Sequence, residues 1–85
     1  MGKRDGWAKK PDTRKLYLTY FLYRCQGLQI AEIAKKMGHK FDRVENGLWS
    51  IKKLYKARNN LHLLTMLITD GVFVIDNYIL KLDYE

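Results

Sequence analysis

Five side chains in the middle of the chain, Arg43, Asn46, Trp49, Ser50 and Lys53, recur at three- and four-residue spacing. On a helix such spacing gathers them along one side, together with Asp42. Setting the core side at Val44, Leu48 and Ile51 leaves Asp42, Asn46, Trp49 and Lys53 opposite, flanked by Arg43 and Ser50. The chemistry open to that set is recognition by hydrogen bonding. An asparagine amide can pair with an adenine edge, and an arginine fork with guanine or phosphate. Lys52, Lys53 and Lys56 run toward the helix end, where ammonium groups suit phosphate contacts. Lys35, Lys36 and Lys40 precede the same helix and could hold a nucleic-acid backbone beside it. A solvated polar face would use the same residues. Glu45 sits at the edge of the face and does not favour a polyanion. Trp49 either packs beneath the C-terminal segment or marks a contact surface.

Catalytic chemistry has no comparable foothold. The sequence contains no glycine-rich phosphate loop and no nucleophile elbow. Cys25, His39 and His62 lack metal-ligand spacing, so neither metal nor cofactor is expected. His62, in an apolar segment, reads as structural. The single Cys25 precludes an internal disulfide and reads as a buried, inert thiol. The chain is therefore expected not to be an enzyme.

The elements that must hold this face are legible between Gly27 and Leu54. Ile30, Ile33, Ala34 and Met37 form one helical stripe, and Val44, Leu48, Ile51 and Tyr55 a second. Gly38-His39-Lys40 separates them. Gly38 stands just past the first stripe, where a left-handed residue ends a helix at least cost. Two short helices with this break predict a helix-turn-helix, whose second helix enters the major groove of DNA. A plain helical hairpin docking on a protein is the alternative.

Trp7, Asp12, Gly27, the run EIAKKMGH from Glu32 to His39, and Val44 resemble Myb/SANT-type homeodomain-like domains over about Trp7 to Leu54. Relative to that pattern the first helix is longer, and His39-Lys40 replaces the common arginine. Arg14 to Leu54 also resembles the C-terminal DNA-binding domain of the bacterial replication initiator, through the step at Leu28, Ile30 and Ile33. Phe41-Asp42-Arg43 stands where that family carries Asp-His-Thr-Thr. Both resemblances imply binding of double-stranded DNA.

The remaining chain sets the boundaries. With 85 residues, 47% of them hydrophobic, the chain can bury one modest core. A formal charge of +7 favours a polyanionic partner, through counterion release. No apolar run reaches the roughly 20 residues of a membrane helix, so a soluble, cytoplasmic protein is expected. Residues 1–10 read as a flexible basic arm, in which Lys9 and Lys10 could follow a phosphate backbone. Residues 11–57 are predicted to form the helix-turn-helix domain, with its third helix over 42–57, capped by Asp42. Residues 58–85 form a C-terminal extension packed on it, comprising a short helix over 61–69 and a wing-like β-hairpin turning at Asp76-Asn77. The predicted class is mainly α. The first helix, apolar on nearly every side, and the hairpin, apolar on both faces, predict a homodimer through Leu16–Leu22 and Val72–Leu82. The expected partners are thus double-stranded DNA and a second copy, with no membrane. The main functional expectation is a small sequence-specific transcriptional regulator. The rival is a protein-interaction module acting as adaptor or inhibitor.

Overall fold

The computed structural model describes residues 11–83. Among the described residues, four helices are followed by a two-stranded antiparallel hairpin: α1 (Pro11–Cys25), α2 (Ile30–Met37), α3 (Phe41–Leu54), α4 (Asn60–Thr69), β1 (Phe73–Asp76) and β2 (Ile79–Leu82). The protein is mainly helical with a small hairpin, as the sequence pattern predicts. Among the described residues no helix is long and apolar enough to cross a membrane. The basic arm, including Lys9 and Lys10, lies outside the described residues.

α1 is the central element, which accounts for its apolar side chains all round. It packs against α3, α2 and β2, burying Tyr17, Leu18, Tyr20 and Phe21. The Phe21 ring stacks on Phe73 with centroids 6.0 Å apart. Gln26, just past the helix, donates from Nε2 to the Leu80 carbonyl at 3.2 Å. Every residue from Leu16 to Leu22 is buried or half-buried within the chain. That stretch is therefore largely covered within the chain itself. Exposed apolar area is found instead on the hairpin, at Val74, Ile75, Tyr78 and Ile79.

All four helices end in the same way, with a backbone N–H reaching back five residues. Leu28 donates to Tyr23, His39 to Ala34, Ala57 to Lys52 and Val72 to Leu67. Each closure needs a left-handed residue. Gly27, Gly38 and Gly71 supply three of them, Gly38 at φ 70°. The fourth is Lys56, at φ 56°. α3 accordingly stops at Leu54 rather than Ala57. It begins at Phe41 with Lys40, not Asp42, as its N-cap. Asn59 opens α4 by accepting from the His62 N–H at 2.8 Å, which draws the start of that helix to Asn60. A side chain at the left-handed position costs about 1 kcal/mol, part of which the greater unfolded-state entropy of glycine returns. Lys56→Gly is therefore expected to raise the melting temperature by a few degrees. Gly38→Val, which forces a β-branched residue into the same conformation, should lower it. Thermal denaturation of both variants checks the pair.

The hairpin turns one residue later than predicted. Asp76 pairs with Ile79, so the two turn residues are Asn77 and Tyr78, at φ 52° and 65°. Two successive left-handed residues match the right-handed twist of the flanking strands. Phe73, Ile75, Leu80 and Leu82 share one face, and Val74, Asp76, Ile79 and Lys81 the other. The second face is mixed rather than apolar, with Lys81 3.2 Å from Asp76.

α3 is rotated from the predicted phase. Its buried residues are Val44, Gly47, Ser50 and Ile51, with Leu48 only half-buried. The cause is Gly47. A Cβ there would lie 2.8 Å from Tyr17 Cδ1, and 2.8 and 2.9 Å from Tyr20 Cδ2 and Cε2. The bare backbone lets α1 approach so closely that the Gly47 side of α3 becomes its packing face. Ser50 follows it inward to 1% exposure and is thereby removed from the candidate DNA contacts. Its Oγ has no hydrogen-bond partner among the described residues. Burying an unpaired hydroxyl costs roughly 1–3 kcal/mol. Ser50→Ala is expected to stabilise the domain by about 1 kcal/mol, read as a higher denaturant midpoint at unchanged slope.

Candidate functional site

With Val44, Gly47 and Ile51 inward, Trp49 stands nearly opposite them, at the crest of α3. Its indole is 41% exposed rather than covered by the hairpin. Lys53, one turn on, holds its Nζ 4.6 Å from the ring centroid, a cation–π contact. Glu45, one turn earlier, and Asp42, two turns earlier, continue the crest toward the N-terminus, and both are exposed. Toward the C-terminus the crest ends at Lys53, and exposed Lys56 follows just past the end of the helix. The ridge thus runs from carboxylates through an aromatic to cations, an order that also complements the helix dipole. The sequence phase had relegated Glu45 to the edge, and nothing in it distinguished Lys56 from its neighbours.

The other candidate residues are distributed around this crest. Asn46 is half-buried, about 60° from Trp49 at 100° per residue. Arg43 is exposed but lies about 120° away, on the side facing α1. There its charge acts on Tyr20. Burial pushes the Tyr20 hydroxyl above the ordinary tyrosine range, Arg43 pulls it down, and Tyr17 adds a smaller upward push. The Tyr20 hydroxyl lies 2.6 Å from His39 Nδ1, tying the connection between α2 and α3 to the central helix. Lys40 is exposed at the N-cap of α3. Lys35 and Lys36 are exposed in the last turn of α2, and Lys36 Nζ lies 5.4 Å from the Tyr23 ring centroid.

Between residues 35 and 58, Lys35, Lys36, Lys40, Arg43, Lys52, Lys53, Lys56 and Arg58 stand against only Asp42 and Glu45. Nearly all of the chain's formal charge of +7 is therefore concentrated on α3, its flanks and the end of α2. Beside the crest is a hollow lined by Arg24, Ile30, Glu45, Leu48, Trp49, Lys52 and Asn60.

The groups that could carry covalent or metal chemistry are placed otherwise. Among the described residues no three of His, Cys, Asp and Glu could hold a metal ion. Cys25 is half-buried, and burial pushes its thiol up to about 11, against a smaller opposing effect of Arg24. The reactive thiolate is accordingly scarce near neutral pH. His62 is exposed, not set in the core, and its Nδ1 accepts from the Arg58 N–H at 3.0 Å, closing the start of α4. No protein-family model, curated protein or solved structure matches the chain.

Proposed function

We propose that this protein binds double-stranded DNA in the manner of a helix-turn-helix regulator, with α3 in the major groove and α2 across its mouth. The observation that carries the reading is the concentration of positive charge on exposed side chains around α3. Cations so arranged can neutralise phosphates on both sides of a groove while the crest between them meets base edges. Lys35, Lys36, Lys40, Arg43, Lys53 and Lys56 act on the backbone in this account. Asn46 and Trp49 act on bases.

Arg43→Ala and Asn46→Ala separate the two roles. Arg43→Ala is expected to weaken binding about uniformly across sequences and to shallow the salt dependence by one phosphate contact. Asn46→Ala is expected to cost about 1–3 kcal/mol on the preferred site and to relax one position in it. Affinities measured on the duplex recovered from a random pool, and on a scrambled duplex, test both. Equal affinities of wild type and both variants on every duplex would remove α3 as the reader. Lys56→Gly adds a further check, since it should bind more weakly while melting at a higher temperature.

The hollow beside Trp49 favours a second reading, a protein-interaction module in which a partner's apolar side chain enters between Ile30, Leu48 and Trp49, with Arg24, Lys52 and Glu45 beside it. The apolar side chains in that lining support the reading, and an absence of any shift on duplex DNA at low salt would put it first.

A further inference from the structure

The composition of the α3 crest is unusual for a surface surrounded by lysines. Asp42 and Glu45, both exposed, precede the exposed indole of Trp49 along the ridge. Against phosphate the two carboxylates would be repelled at short range. Against base edges they have a use, because a carboxylate accepts from the exocyclic amine of cytosine. Trp49 cannot supply a hydrogen-bond acceptor, since its indole has one N–H donor and an otherwise apolar surface. The apolar group that a major groove offers to such a surface is the thymine methyl. Glu45 and Trp49 are one helical turn apart, which spans one to two base-pair steps of about 3.4 Å. The cations lie to the sides and at the C-terminal end, where the groove walls would be.

We propose that Trp49 packs on the 5-methyl group of a thymine in the major groove, with Glu45 accepting from an exocyclic base amine one or two steps away. This inference rests on the DNA-binding reading and adds to it the identity of the bases touched. Lys53 serves the arrangement by holding the indole through its Nζ, 4.6 Å from the ring centroid, while Trp49 stays 41% exposed. Asp42, nearer the helix start, extends the amine-accepting part of the ridge.

The test is a chemical scan of the duplex that the full chain selects from a random pool at low salt. Each thymine is replaced in turn by deoxyuridine, which removes only the methyl. Wild type is expected to lose about fourfold in affinity at one position, the worth of one buried methyl group. Trp49→Ala should bind that duplex more weakly and be indifferent to the same replacement. Glu45→Gln should weaken the selected duplex while tightening a scrambled one. A recovered motif without thymine, a scan flat at every position, or a Trp49→Ala variant as sensitive as wild type would overturn the inference while the DNA reading stood. So would Glu45→Gln tightening both duplexes equally, the behaviour of a carboxylate facing phosphate. Recovery of no duplex at all would instead overturn the reading beneath it.

Discussion

Gly47→Leu is expected to leave the protein unfolded at ordinary temperature, and Gly47→Ala to lower its melting temperature by roughly 4–8 °C, the equivalent of about 1 kcal/mol in a domain of this size. The space that even one methyl group would need is taken by Tyr17 Cδ1 and Tyr20 Cδ2, each 2.8 Å away. These are ring atoms, and neither ring is free to retreat. Tyr20 is wholly buried and fixed to His39 through its hydroxyl, and the Tyr17 ring stacks on it at 5.9 Å. Overpacking of this kind costs about 1–3 kcal/mol, while alanine in a helix returns about 1 kcal/mol over glycine. Steric repulsion wins, but not by much for alanine. For leucine no rearrangement short of separating α1 from α3 suffices. Circular dichroism during heating reads both outcomes. A Gly47→Ala protein melting above wild type would mean that helix propensity outweighs the contact, and that α1 and α3 can slide apart at little cost.

Phe73→Ala should destabilise the protein by about 3–5 kcal/mol, the usual range for emptying a buried aromatic site. Phe73 is the one hairpin residue with no exposure, and it stacks on Phe21 of α1. Domains of this length have total stabilities of roughly 4–12 kcal/mol, so the loss would take a large share. Since β1 packs on α4 and β2 on α1, the hairpin and the helices should unfold together. Chemical denaturation followed by far-UV circular dichroism and by tryptophan fluorescence should give coincident transitions shifted to lower denaturant. Trp49 sits on α3, so with Trp7 replaced by phenylalanine in both proteins the fluorescence reports the helices. A variant in which the fluorescence transition stays at its wild-type midpoint would make the hairpin an appendage.

The contrast between these two residues explains which parts of the fold the sequence revealed. Phe73 announces itself as a large apolar side chain in a β-branched run, and Gly38 as a glycine where a helical stripe stops. α1, apolar on nearly every side, declared that it must be surrounded, although it did not say whether by its own chain or by a second copy. Gly47 near the core boundary of α3 suggests close packing, as found, but a missing side chain has no hydropathy and so does not set the phase of the helix. Its effect appears only when α1 is brought against it. The phase of α3 turned on that single contact, so Ser50 went inward and Glu45 outward against expectation. Lys56 was equally silent. Local sequence gives no warning that a lysine will hold a left-handed helix end that three glycines hold elsewhere. The hairpin register was ambiguous for a third reason. Asp76-Asn77 and Asn77-Tyr78 are both plausible turn pairs, and a shift of one residue interchanges the two faces of the strands.

The central claim is that the charge gathered around α3 is there to meet phosphates. It is tested most directly by the affinity of the full chain for duplex DNA over a salt series from 50 to 200 mM. Six backbone contacts predict a slope near −5 in log affinity against log salt and a loss of about a thousandfold across the series. Affinity that is absent at the lowest salt, or that changes little along the series, would contradict the account.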